Sequence, residues 1–170
     1  MSGLVMKGQM NMRNVTWIVV GLSLQSAAAS SATGGKAREI NEINEVVGRF
    51  FEALNDNNIS AVLSFYHDGS AYFPKNHPAS RGIGEISKAY QGLFGGVRLK
   101  VSHQIRNVSL GDIAVVESDA TGSVTVLASG QVVPTNVKEL LVLRKIANAW
   151  KVDRYMFNDN EEQCPAPAKP

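Results

Sequence analysis

The chain has 170 residues, of which 44% are apolar and 19% charged, which is enough to build one buried core and too little for two full domains. A single cysteine, Cys164, excludes a disulfide framework within the chain, and no Cys/His spacing fits a structural zinc site. The net charge of +2 comes from Lys7 and Arg13 near the start; the rest of the chain is balanced and has no electrostatic drive toward nucleic acid or anionic lipid.

The first segment reads as an address. Lys7 and Arg13 precede the apolar run Val15 to Leu24, which gives way to the small residues Ser26-Ala27-Ala28-Ala29. A basic start, an apolar middle and an Ala-x-Ala exit describe a secretory leader over residues 1–29, with cleavage after Ala29 and Met12 as an alternative start. Ser23, Gln25 and Ser26 cut the apolar run short of the roughly 20 residues that a membrane span needs. The expected location is periplasmic or secreted, where Cys164 is either free or paired between chains. Asn14, Asn58 and Asn107 sit in glycosylation sequons, which matter only in a eukaryotic secretory pathway.

From Lys36 to Asn55, Ile40, Ile43, Val46, Val47, Phe50, Phe51 and Leu54 recur at the spacing of one helix face. Asn55-Asp56-Asn57-Asn58 stops that helix and caps a short second one over Ile59 to Tyr66. A brief strand over Ser70 to Phe73 ends at Pro74, and a loop carries Lys75, His77 and Arg81 to Gly82. A third helix spans Ile83 to Phe94 and closes at Gly95-Gly96. Beyond it the hydrophobic period changes to two: Val97–Val108, Ile113–Leu127, Val137–Ile146 and Trp150–Phe157 read as strands joined by short turns. Such a meander needs cover on one face, and the helices supply it. The expected class is α+β, a curved antiparallel sheet packed against three N-terminal helices. Residues 159–170 form a polar, Pro-rich tail expected to stay disordered.

Three local signatures accompany this order. They are Asn57-Asn58-Ile59-Ser60-Ala61-Val62-Leu63-Ser64-Phe65-Tyr66-His67-Asp68, then Ser80-Arg81-Gly82-Ile83-Gly84-Glu85-Ile86 at the entry to the third helix, and Trp150-Lys151-Val152 in the last strand. Together they resemble the nuclear transport factor 2-like superfamily, with its ketosteroid isomerase-like and SnoaL-like members, over residues 36–158. The resemblance implies a cone with a pocket between sheet and helices, and a homodimer formed through the sheet. It does not carry an activity, since members of one fold differ in function. The isomerase's carboxylate base would stand just before the proline of the first strand; here that residue is Phe73, whose ring cannot take a proton.

Strand alternation offers other groups. Leu99, Val101, His103 and Ile105 share one face of the first long strand, and Ile113, Val115, Glu117, Asp119 and Thr121 share one face of the second. A three-residue turn at Leu110-Gly111-Asp112 would set His103 opposite Asp119, and a histidine beside a carboxylate passes protons near neutral pH. His103 and Asp119 are the expected catalytic pair. Phe51, Phe73, His77, Tyr90, Glu139 and Tyr155 are the expected substrate contacts, with Tyr155 brought opposite Leu141 by a three-residue turn at Ala147-Asn148-Ala149. Each has an ordinary alternative: a solvated ion pair for His103 and Asp119, a surface charge for Glu139, an exposed loop for His77 and plain core packing for the aromatics. Two functions follow. One is cofactor-independent isomerase, cyclase or hydratase chemistry on a small apolar molecule; the other is a non-catalytic binding or dimerisation module.

Overall fold

The structure is a computed structural model, and residues 24–160 are described. The expected leader, residues 1–29, lies outside the described residues apart from helical backbone from Leu24, and the expected tail lies outside them beyond Asn160. The chain forms two units, Met1–Gly35 and Lys36–Pro170, and apart from the start of the first helix all that follows concerns the second.

Helix α1 (Leu24–Asn55) buries Ile43, Val47, Phe50, Phe51 and Leu54, the face anticipated from their spacing. Asn57 turns the chain with φ 52°, and the Asn58 side chain accepts from the Ala61 N–H at 3.0 Å, capping α2 (Ile59–Ser64). The second helix is shorter than the sequence suggests, because Tyr66 already begins strand β1 (Tyr66–Phe73). A two-residue strand, β2 (Ser80–Arg81), precedes α3 (Gly82–Gly96). Four long strands then follow: β3 (Val97–Leu110), β4 (Ala114–Val126), β5 (Val132–Ile146) and β6 (Ala149–Asp159).

The sheet order is β2-β1-β6-β5-β4-β3. The meander is antiparallel as expected, but β1 joins its β6 edge in parallel, so the sheet has six strands and is mixed. This happens because α3 intervenes between β1 and the meander, so β1 cannot pair with β3 as a hairpin and lies along the free edge of β6 instead. The core lies on the concave side, where Ile43, Val47 and Phe50 meet Ile86 and Tyr90 of α3 and Val116, Leu141 and Leu143 of the sheet.

Three irregularities aim the side chains. A bulge at Arg106 breaks the β3–β4 ladder between Ile105 and Asn107. A second, at Asp153, breaks β5–β6, and residues 67–70 of β1 bow out against it. Gly122 is the third: its φ of 156° and its close approach to β3 leave no room for a side chain, since a Cβ would collide with the Lys100 carbonyl. The end of α1 is tied to the same stretch, with Asn55 donating to the Val101 carbonyl at 2.7 Å and accepting from its N–H at 3.0 Å. That clamp fixes β3 two residues before His103.

Candidate functional site

Between the concave face and α3 lies a cavity of about 170 Å³. Its walls are mainly apolar, with Leu54, Leu93, Leu99, Val101, Val124 and Val137 prominent, and its polar side chains are Tyr72, Tyr90, His103, Thr135, Glu139 and Tyr155. Alternation places these groups. His103, Ala120 and Val137 form one cross-strand row, and the next row runs Ile105, Ser118, Glu139 and Phe157. On β4 the inward residues are small, Ser118 and Ala120, and that smallness leaves space in front of them.

Glu139 is the hub of the site. Its residue surface is only 6% exposed, and its two oxygens accept from three side chains: Tyr155 Oη at 2.6 Å on Oε1, and Ser118 Oγ at 2.8 Å and His103 Nδ1 at 2.9 Å on Oε2. Without them a buried carboxylate would be untenable. The alternative of a surface charge at Glu139 gives way to a buried acceptor of three donors, whereas Glu117 of β4 is exposed. Burial, reinforced by the nearby Glu139 charge, pushes the Tyr155 hydroxyl well above the ordinary phenol value, so it remains a donor.

With its Nδ1–H committed to Glu139, neutral His103 carries a lone pair on Nε2. Nε2 has no hydrogen-bond partner among the described residues and is not a sealed atom. The Phe51 ring lies flat on the imidazole, 3.7 Å between centroids and 6° from parallel, and so fixes its plane. Contrast His67, the other histidine beside an acid. Its Nδ1 accepts from the Gly69 N–H at 3.1 Å and its Nε2 meets Asp153 Oδ1 at 3.0 Å, while Arg144 and Arg154 hold the same carboxylate. Both nitrogens are used. That cluster fastens the β1 bow to the β6 bulge and has no group left for chemistry.

The expected partner of His103 is corrected. Asp119 lies on the convex face opposite Gln104 and Lys138, with its carboxylate 2.7 Å from Arg106 Nε. The turn pairs Leu110 with Ala114 rather than Ser109 with Ile113, and the Arg106 bulge takes back only part of the shift, so Ala120 stands opposite His103. Glu139 of the third meander strand supplies the carboxylate instead. Two expected contacts are also corrected. Phe73 does not line the cavity: it is half-buried on the far side of β1, beneath the Arg81 guanidinium at 5.7 Å. His77 is exposed in the Pro74–Pro78 loop and does not line it either. Tyr90, Glu139 and Tyr155 do line it, and Phe51 reaches it through His103. Ser118 was not anticipated. Its signal was the alternation of small residues Ala114, Ser118, Ala120 and Gly122 on the other face of the same strand.

The comparisons agree with this architecture. A family model for the SnoaL-like domain matches residues 47–145. A ketosteroid isomerase-like protein from Erwinia carotovora atroseptica superposes with a TM-score of 0.69 at 29% identity, covering 73% of this chain and 98% of its own. A nuclear transport factor 2-like superfamily protein from Salmonella enterica serovar Typhimurium superposes with a TM-score of 0.64 at 17% identity, covering 76% and 96%. No curated protein matches the chain. A curved sheet wrapped on three helices around an apolar cavity, together with a family match over residues 47–145, shows that this chain belongs to the SnoaL-like family of the nuclear transport factor 2-like superfamily.

Proposed function

We propose that the protein binds a small, mainly apolar molecule in this cavity and moves a proton on it, with His103 Nε2 as the acid–base group. One observation carries the reading: the imidazole of His103, a residue that lines an apolar cavity, is held by Glu139 at Nδ1 while its other nitrogen is left without a partner. On a ligand with a carbonyl, Nε2 takes a proton from the adjacent carbon and the C–H pair becomes the enolate. The imidazolium so formed returns the proton to the same carbon or a conjugated one. Glu139 acts as positioning residue, since it selects the tautomer and balances the charge that forms on the ring. The likeness to a ketosteroid isomerase-like protein supports this class of reaction, although the base arrives from β3 and the place of the isomerase carboxylate is held by Phe73.

Exchange of the α-hydrogens of cyclohexanone into heavy water, followed by proton NMR, tests the reading. The wild-type protein is expected to accelerate exchange and His103→Gln to lower that acceleration about 100-fold, the low end for a lost acid–base group. Equal exchange by both proteins removes His103 from the mechanism. Bound ketone with no exchange by either identifies a binding module.

Self-association through the convex face belongs to the same proposal. Met156 stands 47% exposed there beside Leu140, ringed by Arg106, Glu117, Asp119 and Lys138. Sedimentation of the chain is expected to give twice the 18.3 kDa protomer mass, and Met156→Glu to give the single mass. A wild-type mass of one protomer at every concentration rejects it.

A further inference from the structure

The four tyrosines of the chain, Tyr66, Tyr72, Tyr90 and Tyr155, are all buried in the described core, and three of their hydroxyls are spoken for. Tyr66 and Tyr90 share a hydrogen bond of 2.9 Å, and Tyr155 donates to Glu139. Tyr72 is the exception. Only 3% of its surface is exposed, yet its hydroxyl has no hydrogen-bond partner among the described residues and is not a sealed atom, and the residue lines the cavity. Its ring is clamped between Tyr90, at 4.9 Å and 12°, and Tyr155, at 5.6 Å and 12°, so the hydroxyl is held in place without a ligand's help. A buried donor left unpaired is costly unless something else accepts from it.

Resting on the reading that the cavity takes a ligand, we propose that this ligand is a neutral one-ring compound bearing an oxygen acceptor, and that Tyr72 holds that oxygen. Volume limits the ring count. An apolar cavity of about 150 Å³ accommodates benzene, so 170 Å³ holds one ring with a short substituent, and a second fused ring would have to extend beyond its mouth. Charge limits the rest. The carboxylate of Glu139 borders the same cavity, and a second anion beside it would be repelled in surroundings of low polarity. Burial, together with the Glu139 charge, pushes the Tyr72 hydroxyl well above its ordinary value, so it meets the ligand as a donor. An acceptor oxygen completes its hydrogen bonding, and in a carbonyl ligand the same bond stabilises the oxygen on which enolate charge develops.

The test is an NMR titration of wild type and Tyr72→Phe, which keeps the ring stack, with cyclohexanone, toluene, benzoate and the two-ring ketone 1-tetralone. Cyclohexanone is expected to bind the wild type and to lose about fivefold in Tyr72→Phe, the worth of one net hydrogen bond. Toluene, without an acceptor, binds both proteins equally. Benzoate binds at least about tenfold more weakly than toluene and recovers in Glu139→Gln, and 1-tetralone binds more weakly than cyclohexanone. Cyclohexanone affinity unchanged in Tyr72→Phe overturns the assignment of Tyr72, and benzoate or 1-tetralone binding as tightly as cyclohexanone overturns the ligand class. Binding that depends on Tyr72 without proton exchange sustains this inference while the catalytic reading falls; failure of every probe to bind removes both.

Discussion

Raising the pH above about 10 is expected to unfold the protein in one step, with its whole tyrosine ionisation appearing in that step. All four tyrosines are buried, and burial is the leading cause that pushes each hydroxyl above the ordinary phenol value. The sign follows from linkage. With the folded value above the unfolded one, the native state keeps its phenolic protons while the unfolded chain releases them, so the stabilisation is complete below about pH 10 and is lost as pH climbs toward the folded values. Each tyrosine then contributes a loss of up to about 1.4 kcal/mol per pH unit, and the four together about 5 kcal/mol per unit. Domain stabilities of about 5–15 kcal/mol are exhausted within a few pH units at that slope. Tyrosinate absorbance and far-ultraviolet circular dichroism, recorded on one alkaline titration, should share a midpoint. Tyrosinate forming while the dichroism stays native would show that the hydroxyls are open to solvent and would empty the cavity argument with them.

Replacing Glu139 by Leu is expected to cost about 3–5 kcal/mol of stability, read as a fall in the urea midpoint. The substitution keeps apolar volume but strips Tyr155, Ser118 and His103 of one shared acceptor, so buried donors lose their partners together. A coupling signature separates this from simple misfit: adding Tyr155→Phe to Glu139→Leu deletes one orphaned hydroxyl and should recover part of the loss, although Tyr155→Phe alone destabilises the wild type. Glu139→Leu with wild-type stability would mean that desolvation of the carboxylate cancels its hydrogen bonds, and the hub would then be retained for the tautomer of His103 alone.

Local order was plain in the residues. The period of the apolar face in α1 and the Asn58 cap depend on neighbours three or four positions apart, and both appear where expected, whereas α3 runs through Gly95-Gly96 and ends at Val97 instead of closing at the glycines. The inward face of β3, with Leu99, Val101 and His103, is likewise a consequence of alternation within one strand. Pairing between strands was harder. Leu141 does face Tyr155, but by two compensating departures: the turn has two residues, Ala147 and Asn148, both with positive φ, and the Asp153 bulge restores the register. On the other hairpin the same kind of compensation is incomplete, and His103 meets Ala120 where Asp119 was expected.

Composition and periodicity therefore determined the class of fold, the helix faces and the presence of His103 on an inner face, because those rest on contacts close along the chain. Only the tertiary structure decided that Glu139 and not Asp119 holds His103, that Phe73 and His77 stand away from the cavity and that Tyr72 is the tyrosine left with a free hydroxyl. The reason is that a strand alternates with period two. A bulge one residue long exchanges its faces, and the energy that places such a bulge comes from packing against strands and helices far away in sequence.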